Sequence, residues 1–537
     1  MSKISIKYSL EGEIRLANAS NDDLELSFYE EGEKNTVTLK AKRTLKLQRA
    51  ELDNVHKVAP GDKVFLNGYQ SWTETKEFRL TEKLRNTKKL PRGLLRRYAF
   101  DKYGDASFFE SKSIPLHGYD FFYARGLGET FIVNDNYSLA YAVFTVERKT
   151  GKISVFSDFG GITVAEGETV NLFSYYKAAD YESGLEMFNR LYPKKETKKI
   201  VGYTSWYNYY QDINENIILR DLNALDGSFE LFQIDDGYET FVGDWLDVDG
   251  KKFPHGLAPI AKKIKEKGLR AGIWLAPFVA ETKSAIYREH RDWLKKGDDG
   301  EPVRCGSNWS GFYALDLEHP EVKPYIAKCL KHYADMGFDF FKLDFLYAAS
   351  LNRYEGKTRC QVANETYGFL REVLGDNSIL GCGGTLSNCI GRFDYMRIGP
   401  DVSLLFDDVW YMHMMHPERI STKVTLKNTV YRSFMNGRLF GNDPDVFLLR
   451  RENIKLSDEQ KRALLTINAL FGSVLMTSDN IANYDDDQKK LLKEALELSK
   501  KATVTGYLRD GKWIRIRYTI DGEEKMISYD TEKGVLQ

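Results

Sequence analysis

Lys342 and Asp344 are the residues of this chain whose types and spacing most directly suggest chemistry. They lie in the run 338–346, which is rich in aromatic and apolar residues, as a buried strand is. Residues two apart in a strand face the same side, so the ammonium and the carboxylate would be neighbours. Buried charges are usually paired or functional, and a nearby cation lowers the pKa of a carboxylate. The pair is therefore either a carboxylate nucleophile with its cation or a structural ion pair at a strand end.

This strand is one of a series in which strands and helices alternate from Ile200 onward. The predicted strands are Ile200–Trp206, Glu230–Ile234, Leu269–Leu275, Phe338–Phe345, Ile379–Cys382, Tyr395–Ile398, Arg438–Gly441 and Ser473–Met476. Amphipathic helices separate them, and one begins with Ser457 and Gln460 in the positions of a capping box. Eight alternating units predict a (β/α)8, or TIM, barrel over residues 197–478.

The segments on either side of the barrel have the sequence pattern of β structure. Before it, short strand-like runs are separated by turns: Leu24–Tyr29, Val37–Ala41, Phe131–Val133 and Leu139–Phe144. They predict an N-terminal β-sandwich domain over residues 1–196. After it, a helix around Asp486–Ser499 and three further strands predict a small C-terminal β domain over residues 479–537. The expected fold is therefore a multidomain α/β and β protein.

Composition narrows the classes of function. Lys and Arg total 77 against 78 Asp and Glu, a net charge of -1, which gives no electrostatic reason to expect nucleic acid or an anionic membrane as a partner. The sequence has no apolar run of membrane-spanning length and its N-terminus does not resemble a signal peptide, so we expect a cytoplasmic protein. The five cysteines are odd in number and contain no CxxC pair, which argues against disulfides and a structural zinc site.

Polar and aromatic side chains occur at the C-terminal ends of nearly all the predicted barrel strands, where catalytic groups of such barrels lie. They are Trp206, Asp235, Asp236, Trp274, Asp344, Cys382, Gly383, Arg397, Asp401, Asn442 and Asp443. Helix capping explains any single carboxylate among them, but not the whole set. The adjacent Asp235 and Asp236 suit either vicinal sugar hydroxyls or a divalent metal. Trp274 either forms a wall on which a ligand ring stacks or packs in the upper part of the barrel core.

Metal and cofactor signatures are missing from the sequence. His413 and His416 are the nearest approach to a metal-binding pair, and their spacing on an apolar stretch is more typical of packing. Glycine-rich phosphate-binding motifs do not occur. We therefore expect neither a metal nor a cofactor, and essential carboxylates that work without them point to glycoside hydrolysis.

Taken together, these motifs resemble glycoside hydrolase family 36, and the members they resemble are the α-galactosidases (melibiases). The resemblance is carried by Trp206-Tyr207-Asn208-Tyr209-Tyr210, residues 233–239, Gly243-Asp244-Trp245, residues 274–278, Phe341-Lys342-Leu343-Asp344-Phe345 and Arg397-Ile398-Gly399-Pro400-Asp401. It runs through the whole barrel in order, and the β domains before and after it also fit that family.

The resemblance implies a retaining, exo-acting α-galactosidase that acts on small oligosaccharides such as melibiose or raffinose. Asp344 would be the nucleophile and Asp401 the general acid and base, with their carboxyl groups about 5–5.5 Å apart. Asp401 must begin protonated, so its pKa is expected to be raised by burial or by the anion of Asp344. The expected partner is a small carbohydrate substrate.

Binding roles follow from the same resemblance. Asp235 and Asp236 would bind the outer hydroxyls, Lys342 and Arg397 would donate hydrogen bonds, Trp206 and Trp274 would form the apolar wall, and Cys382 and Gly383 would lie near the C2 substituent. Trp72, in Tyr69-Gln70-Ser71-Trp72, is either a lid over the pocket or an ordinary sandwich residue.

Several alternatives stay open. The loop Cys382–Ser387 departs from the family pattern, so an α-N-acetylgalactosaminidase with the same mechanism is the second hypothesis. A metal-dependent barrel enzyme using Asp235, Asp236 and Asp344 as ligands is a third, and a catalytically silent sugar-binding protein is a fourth. The chain lacks the long extensions of the larger, often tetrameric members, which leaves a homo-oligomer as one option among several.

Overall fold

Three groups of β-sheets follow one another along the chain. The computed structural model describes residues 3–84, 87–100, 102–109, 114–195, 197–351, 354–409, 412 and 418–537. Two antiparallel sheets come first, a ring of parallel strands second and a small antiparallel sheet last, which confirms the predicted fold class. The domain limits at 196 and 478 stay predictions. A helix with the length and apolar composition needed to cross a bilayer does not occur in these ranges.

The two N-terminal sheets pack around an apolar core. Their strands are β1 (Lys3–Leu10), β2 (Glu13–Ala17), β3 (Leu24–Glu31), β4 (Lys34–Ala41), β5 (Leu45–Lys57), β6 (Lys63–Leu66), β7 (Lys76–Arg79), β8 (Leu116–Tyr119), β9 (Phe121–Arg125), β10 (Thr130–Asn134), β11 (Val143–Val146), β12 (Lys152–Val164) and β13 (Thr169–Ala178). One sheet has the order β2-β1-β5-β12-β11-β8 and the other β3-β4-β13-β10-β9-β6-β7. In β1, Ile4, Ile6 and Tyr8 are buried because alternate side chains of a strand share one face.

One predicted strand of this region is shorter than expected. The predicted run Leu139–Phe144 becomes extended only at Val143. The amides of Leu139 and Ala140 both donate to the carbonyl of Asn136, which holds this part of the chain in a turn.

The parallel strands form the predicted ring of eight positions. The strands of this region are β14 (Ile200–Thr204), β15 (Leu231–Ile234), β16 (Arg270–Leu275), β17 (Val279–Glu281), β18 (Arg304–Gly306), β19 (Phe312–Ala314), β20 (Phe340–Leu343), β21 (Ser378–Gly381), β22 (Tyr395–Arg397), β23 (Gly441–Asp443), β24 (Val446–Phe447) and β25 (Val474–Thr477). Of these, β17, β18 and β19 make a separate antiparallel sheet in the loops above the ring. The others follow the order β23-β22-β21-β20-β16-β15-β14-β25-β24.

The seventh ring position is divided between two short strands. Strand β23 pairs with β22, and β24 pairs with β25, so together they close the ring. The predicted range Arg438–Gly441 ends where β23 begins, so the prediction lies too early in the chain. Between β23 and β24 are Pro444 and Asp445, and the backbone of Asp445 has a positive φ of 72°.

Two helices precede the ring, and most of the others connect the ring strands and cover their outer side. The helices are α1 (Arg92–Tyr98), α2 (Tyr181–Leu191), α3 (Trp206–Tyr209), α4 (Glu215–Ala224), α5 (Ala258–Glu266), α6 (Ala285–Glu289), α7 (Val322–Asp335), α8 (Arg359–Leu374), α9 (Leu386–Cys389), α10 (Thr422–Tyr431), α11 (Asp458–Phe471) and α12 (Asp486–Lys501). The capping box predicted at Ser457 and Gln460 is present at the start of α11. The connection from β21 to β22 contains only the single-turn helix α9.

The C-terminal sheet consists of β26 (Thr503–Asp510), β27 (Trp513–Ile520), β28 (Glu523–Asp530) and β29 (Val535–Leu536). Its strands pair antiparallel in chain order, as expected of a small β meander. Gln460 Nε2 on α11 donates to the carbonyl of Lys533, so this sheet contacts the outer side of the barrel.

A buried arginine fixes the N-terminal sandwich to the mouth of the barrel. Arg432, directly after α10, donates through Nε to Asn67 Oδ1 at 3.0 Å, and through Nη1 to the carbonyls of Ser71 (2.7 Å) and Ile398 (2.8 Å). A guanidinium offers several donors in one rigid plane, so it ties the loop before Trp72 to the end of β22. Trp72 is thereby placed over the C-terminal ends of the barrel strands.

Candidate active site

The C-terminal ends of the ring strands surround a cavity of about 530 Å³. Eight of the eleven predicted site residues line it: Trp72, Trp206, Asp235, Asp236, Trp274, Lys342, Asp344 and Asp401. The other three, Arg397, Cys382 and Gly383, lie behind its wall. Carboxylates, an ammonium group and aromatic rings thus meet in one place, as the barrel geometry predicts.

Asp344 follows the last residue of β20 and is held from two sides. The indole Nε1 of Trp274 donates to its Oδ2 at 3.1 Å, and the amide of Phe345 donates to its Oδ1 at 2.7 Å. Burial raises the pKa of Asp344, and the negative charge of Asp401 raises it further, while Lys342 lowers it. Lys342 therefore opposes the rise in pKa, as expected from the sequence, but burial determines the net direction.

Lys342 forms its ion pair with Asp235 rather than with Asp344. Its Nζ lies 2.9 Å from Asp235 Oδ2, and the same oxygen accepts from Thr204 Oγ1 (3.0 Å) and Gln233 Nε2 (2.7 Å). Burial alone would lower the pKa of Lys342, but the charge of Asp235 outweighs it and the net direction is upward. The lysine stays charged at the floor of the cavity, between the two carboxylates.

Asp236 is bound by two side chains that the sequence did not single out. Trp309 Nε1 donates to its Oδ2 at 2.8 Å, and Gln211 Nε2 donates to its Oδ1 at 3.0 Å. Burial raises the pKa of Asp236, and burial together with the charge of Asp236 raises that of Glu239 well above its ordinary value. Two carboxyl groups so close together favour a state in which one of them holds a proton.

Asp401 lies on the loop after β22, and its side chain is 31% exposed. Arg397 Nη1 donates to Asp401 Oδ1 at 2.9 Å, while Nε and Nη2 of the same guanidinium contact Asp443 (3.0 Å) and Asp445 (2.8 Å). The arginine side chain is only 4% exposed, and its donor groups are all directed at these three carboxylates. Arg397 therefore contacts the predicted acid and base rather than the cavity itself.

Asp445 completes this cluster of charges. Its Oδ2 accepts from Tyr207 Oη at 2.5 Å and from the amide of Val402 at 2.7 Å. Burial raises its pKa to about 7, with the charges of Asp401 and Asp443 acting in the same direction and Arg397 acting against them. The left-handed backbone at Asp445 aims this carboxyl group at the loop that carries Asp401.

The aromatic wall includes the predicted tryptophans. The ring of Trp274 packs against Trp245 and Trp309, with centroids 5.7 and 6.2 Å apart. Trp206, at the start of α3, packs edge-on against Tyr210. These indoles form the apolar face that a pyranose ring requires beside its polar contacts.

Trp72 reaches the cavity from the N-terminal sandwich and covers the two residues predicted near the C2 substituent. Its Nε1 contacts Cys382 Sγ at 3.4 Å, and a Cβ atom at Gly383 would lie 2.9 Å from its ring. Gly383 has a φ of 64°, a conformation that glycine adopts readily. Cys382 and Gly383 thus lie under the indole.

Several cavity residues escaped the sequence prediction because they lie on loops or on another domain. They are Tyr98, Phe100, Tyr103, Gln211, Trp309, Phe312, Phe345, Tyr347, Glu418, Arg419 and Ile420. The aromatic residue in Asn308-Trp309-Ser310 was the one available signal, since a loop tryptophan is a common binding residue. The histidines His413 and His416 lie outside the described residues.

Metal-binding clusters and disulfides are absent from the part of the chain that the structure describes. No group of three or more His, Cys, Asp or Glu side chains there is arranged to hold a metal ion. The five cysteines are all buried and form no disulfide. Burial raises the pKa of Cys382 well above that of an exposed thiol, so this group stays protonated beside the cavity.

A (β/α)8 barrel whose strand ends present carboxylates around an aromatic-lined cavity is an arrangement typical of glycoside hydrolases. Residues 188–370 match the Melibiase family. This match agrees with the resemblance to glycoside hydrolase family 36 that the motifs along the barrel carry.

Relatives by sequence include two bacterial α-galactosidases. Mel36A of Lactobacillus acidophilus is 30% identical over 195 residues, and AgaA of Geobacillus stearothermophilus is 29% identical over 146 residues. These segments span 35% and 26% of this chain but only 26% and 19% of the two relatives.

Similarity to solved structures extends over nearly the whole chain. The α-galactosidase TtGalA of Thermus thermophilus, in complex with p-nitrophenyl α-D-galactopyranoside, has a TM-score of 0.74 and 25% identity, covering 97% of this chain and 98% of that one. AgaA of Geobacillus stearothermophilus, a GH36 α-galactosidase, has a TM-score of 0.63 and 13% identity over 98% of this chain and 81% of that chain. The latter similarity concerns the fold alone.

Proposed function

We propose that the protein is an exo-acting α-galactosidase that removes terminal α-galactosyl residues from small oligosaccharides. The observation that carries the proposal is the placement of Asp344 and Asp401 on one cavity, with Asp235, Asp236 and Lys342 beside them. The likeness to TtGalA supports it, because that enzyme has been seen with p-nitrophenyl α-D-galactopyranoside and with stachyose.

The proposed reaction has two displacement steps. Asp344 attacks the anomeric carbon while Asp401 donates a proton to the leaving oxygen, which forms a covalent galactosyl-enzyme. Asp401 then takes a proton from water, which attacks the same carbon and regenerates Asp344. Trp274 Nε1 and the amide of Phe345 hold the attacking carboxylate in place, and Lys342 adds the positive charge beside it.

Sugar recognition is assigned to the paired groups on the cavity floor. Asp235 and Asp236 would accept from the outer hydroxyls, Lys342 would donate, and Trp206 and Trp274 would contact the apolar face of the ring. Arg397 is reassigned from a sugar contact to a residue that positions Asp401, because its three donor nitrogens already contact carboxylates.

The cavity wall near the predicted position of the sugar's C2 substituent favours galactose over N-acetylgalactosamine as the substrate. The indole of Trp72 lies directly on Gly383 and contacts Cys382, so neither residue opens onto the cavity. A 2-acetamido group needs space and a polar partner at that point, whereas a hydroxyl needs less. Assays with p-nitrophenyl α-galactoside and its 2-acetamido analogue test this directly, and comparable kcat/KM values would remove the preference.

Azide rescue tests the proposed mechanism. Asp344→Ala should lose turnover, by roughly 10⁴-fold or more, because the reaction has no other nucleophile. Azide should restore part of the activity on 2,4-dinitrophenyl α-galactoside and yield β-galactosyl azide. Asp339→Ala is the matched control, since Asp339 precedes the same strand but pairs with Lys265 and Arg270 away from the cavity. Unchanged activity in Asp344→Ala would rule the mechanism out.

A further inference from the structure

Glu239 is a buried glutamate beside the cavity that the proposed reaction does not use. It lies on the same loop as Asp236, is 5% exposed and does not line the cavity itself. Burying an ionised carboxylate is costly unless cations or several donors meet it. The charge state of Glu239 therefore needs an explanation from its neighbours.

The loop after β15 folds back so that the carboxyl groups of Glu239 and Asp236 meet. Gly237 has a φ of 117°, and a Cβ atom there would lie 2.7 Å from the backbone of Gln211, so glycine permits this turn. Glu239 then forms an antiparallel bridge with Val248, and its Oε2 accepts from the amide of Gly237 at 3.3 Å. In this position its side chain hydrogen-bonds to that of Asp236.

A hydrogen bond between two carboxyl groups requires a proton on one of them. Asp236 accepts from Gln211 Nε2 and Trp309 Nε1, and both donors favour its ionised form. Glu239 Oε1, by contrast, is buried and accepts from no donor among the residues that the structure describes. Burial raises the pKa of Glu239 well above its ordinary value, and the charge of Asp236 raises it further. The proton is therefore expected on Glu239.

The other titratable groups around this pair do not supply a charge that replaces the proton. They are Asp235, Lys342, Lys252, Tyr238 and Tyr333. Lys342 forms its ion pair with Asp235, and Lys252 Nζ donates to the carbonyl of Gly237 at 3.0 Å. The two phenols donate to backbone carbonyls, and burial raises their pKa, so they stay neutral.

We propose that Glu239 holds a proton and donates a hydrogen bond to Asp236, which keeps Asp236 as an anion positioned to accept from the bound sugar. A carboxylate has about four acceptor positions, and Gln211, Trp309 and Glu239 fill three of those on Asp236. Asp236 would thus accept from one sugar hydroxyl, and Glu239 is the positioning residue for that contact. This inference rests on the proposed function and adds to it the protonation state of the sugar-binding site.

Two substitutions at Glu239 separate the donor from the bulk of the side chain. Glu239→Gln keeps a donor at nearly the same place, so KM for melibiose near pH 6 should stay within about twofold. Glu239→Met removes the donor to a charged acceptor, so KM should rise about tenfold. In both variants kcat should change by less than about threefold, because Asp344 and Asp401 are untouched. KM does not depend on the fraction of folded enzyme, so a loss of stability in Glu239→Met does not obscure the result.

The pH dependence of KM distinguishes a proton on Glu239 from a merely structural role. A group whose pKa is raised keeps its proton at low pH and loses it as the pH rises. Two ionised carboxylates would then repel each other, so KM of the unmodified protein should rise severalfold between pH 6 and pH 9. Glu239→Gln has no proton to lose there, and its KM should stay constant over the same range.

Glu77→Gln is the matched control. Glu77 is also a buried glutamate, 1% exposed, but it contacts Arg125 at 3.4 Å and Tyr123 at 3.2 Å and does not line the cavity. This variant should show the KM of the unmodified protein and the same pH dependence.

An equal rise of KM in Glu239→Gln and Glu239→Met would overturn the role of Glu239. So would a KM that rises with pH in Glu239→Gln as it does in the unmodified protein. If the unmodified protein cleaves neither melibiose nor p-nitrophenyl α-galactoside, the proposed function itself is wrong and the inference falls with it, which is a distinguishable result.

Discussion

Asp344 lies at the end of a central barrel strand, whereas Asp401 lies on a loop and is held by one guanidinium. Around Asp344, the neighbouring Lys342 and Asp235 form a buried ion pair, and Asp235 has two further donors. Around Asp401, Arg397 is shared with Asp443 and Asp445, and the loop continues into the rim at Arg419. In the proposed reaction, the part of the cavity that binds the galactosyl ring (the galactosyl end) is therefore fixed before the substrate arrives. The part that binds the leaving group (the leaving-group end) depends on charge balance and on a second domain.

The largest effect in this comparison is expected from the removal of Asp401, because only the leaving-group end of the cavity needs a proton donor. Asp401→Ala should lower kcat/KM for melibiose by about 10³-fold, because a general acid contributes roughly 10²–10⁴-fold. The loss on α-galactosyl fluoride should be far smaller, because fluoride leaves without a proton. The measurement is the ratio of the two kcat/KM values, and equal losses would show that Asp401 acts on the galactosyl group instead.

The next effect tests how strongly the galactosyl end is fixed. Lys342→Met leaves Asp235 as a buried carboxylate without its cation, which should lower the free energy of unfolding by about 3–5 kcal/mol. Denaturant titration measures this change. Lys501→Met is the control, because Lys501 forms only exposed ion pairs and its removal should leave the unfolding midpoint unchanged. A similar small shift in both variants would contradict a preformed ion pair at the floor.

A smaller effect concerns the pH dependence of the leaving-group end. Because burial raises the pKa of Asp445 to about 7, the folded protein binds this proton more tightly than the unfolded chain does. The resulting stabilisation is complete at low pH and is lost as the pH rises through 7. Asp445→Asn stays neutral, so its Tm should rise relative to the unmodified protein by about 1–3 °C between pH 5 and pH 8. A constant or falling difference would show that Asp445 is ionised throughout.

The smallest expected effect tests the contribution of the sandwich to the galactosyl end. Trp72→Phe keeps an aromatic ring over Gly383 but removes the Nε1 contact with Cys382. A single weak hydrogen bond predicts a fall in kcat/KM of about two- to fivefold, for melibiose and α-galactosyl fluoride alike. A loss confined to melibiose would instead place Trp72 at the leaving-group end.

Sequence periodicity, together with the rule that catalytic groups lie at the C-terminal ends of barrel strands, predicts most of the fold and the residues around Asp344. The eight strand positions are local patterns, and the C-terminal ends of parallel strands must meet, so Asp235, Lys342 and Asp344 follow from the sequence. The seventh strand is predicted too early because Arg438 and Leu439 lie in a turn, in which both backbone amides donate to the carbonyl of Met435.

The leaving-group end depends on contacts that no local pattern encodes. Tyr98 and Phe100 belong to the N-terminal region. They reach the cavity because Arg432 ties the loop before Trp72 to the barrel, and Gln70 in that loop holds the segment that contains Tyr103. Arg397 occupies a strand end like the other site residues, yet the carboxylates of the neighbouring strand draw its side chain away from the cavity. Side-chain direction at such a position is decided by tertiary charge pairing rather than by spacing.

The most direct test of the central claim is to trap the intermediate on Asp344. The protein is incubated with 5-fluoro-α-galactosyl fluoride, digested, and analysed by tandem mass spectrometry. The two-step reaction predicts a fluorogalactosyl group on the peptide that contains Phe341-Lys342-Leu343-Asp344-Phe345, with the added mass on Asp344. A label on another carboxylate, or turnover without any label and with inversion at the anomeric carbon, would contradict it.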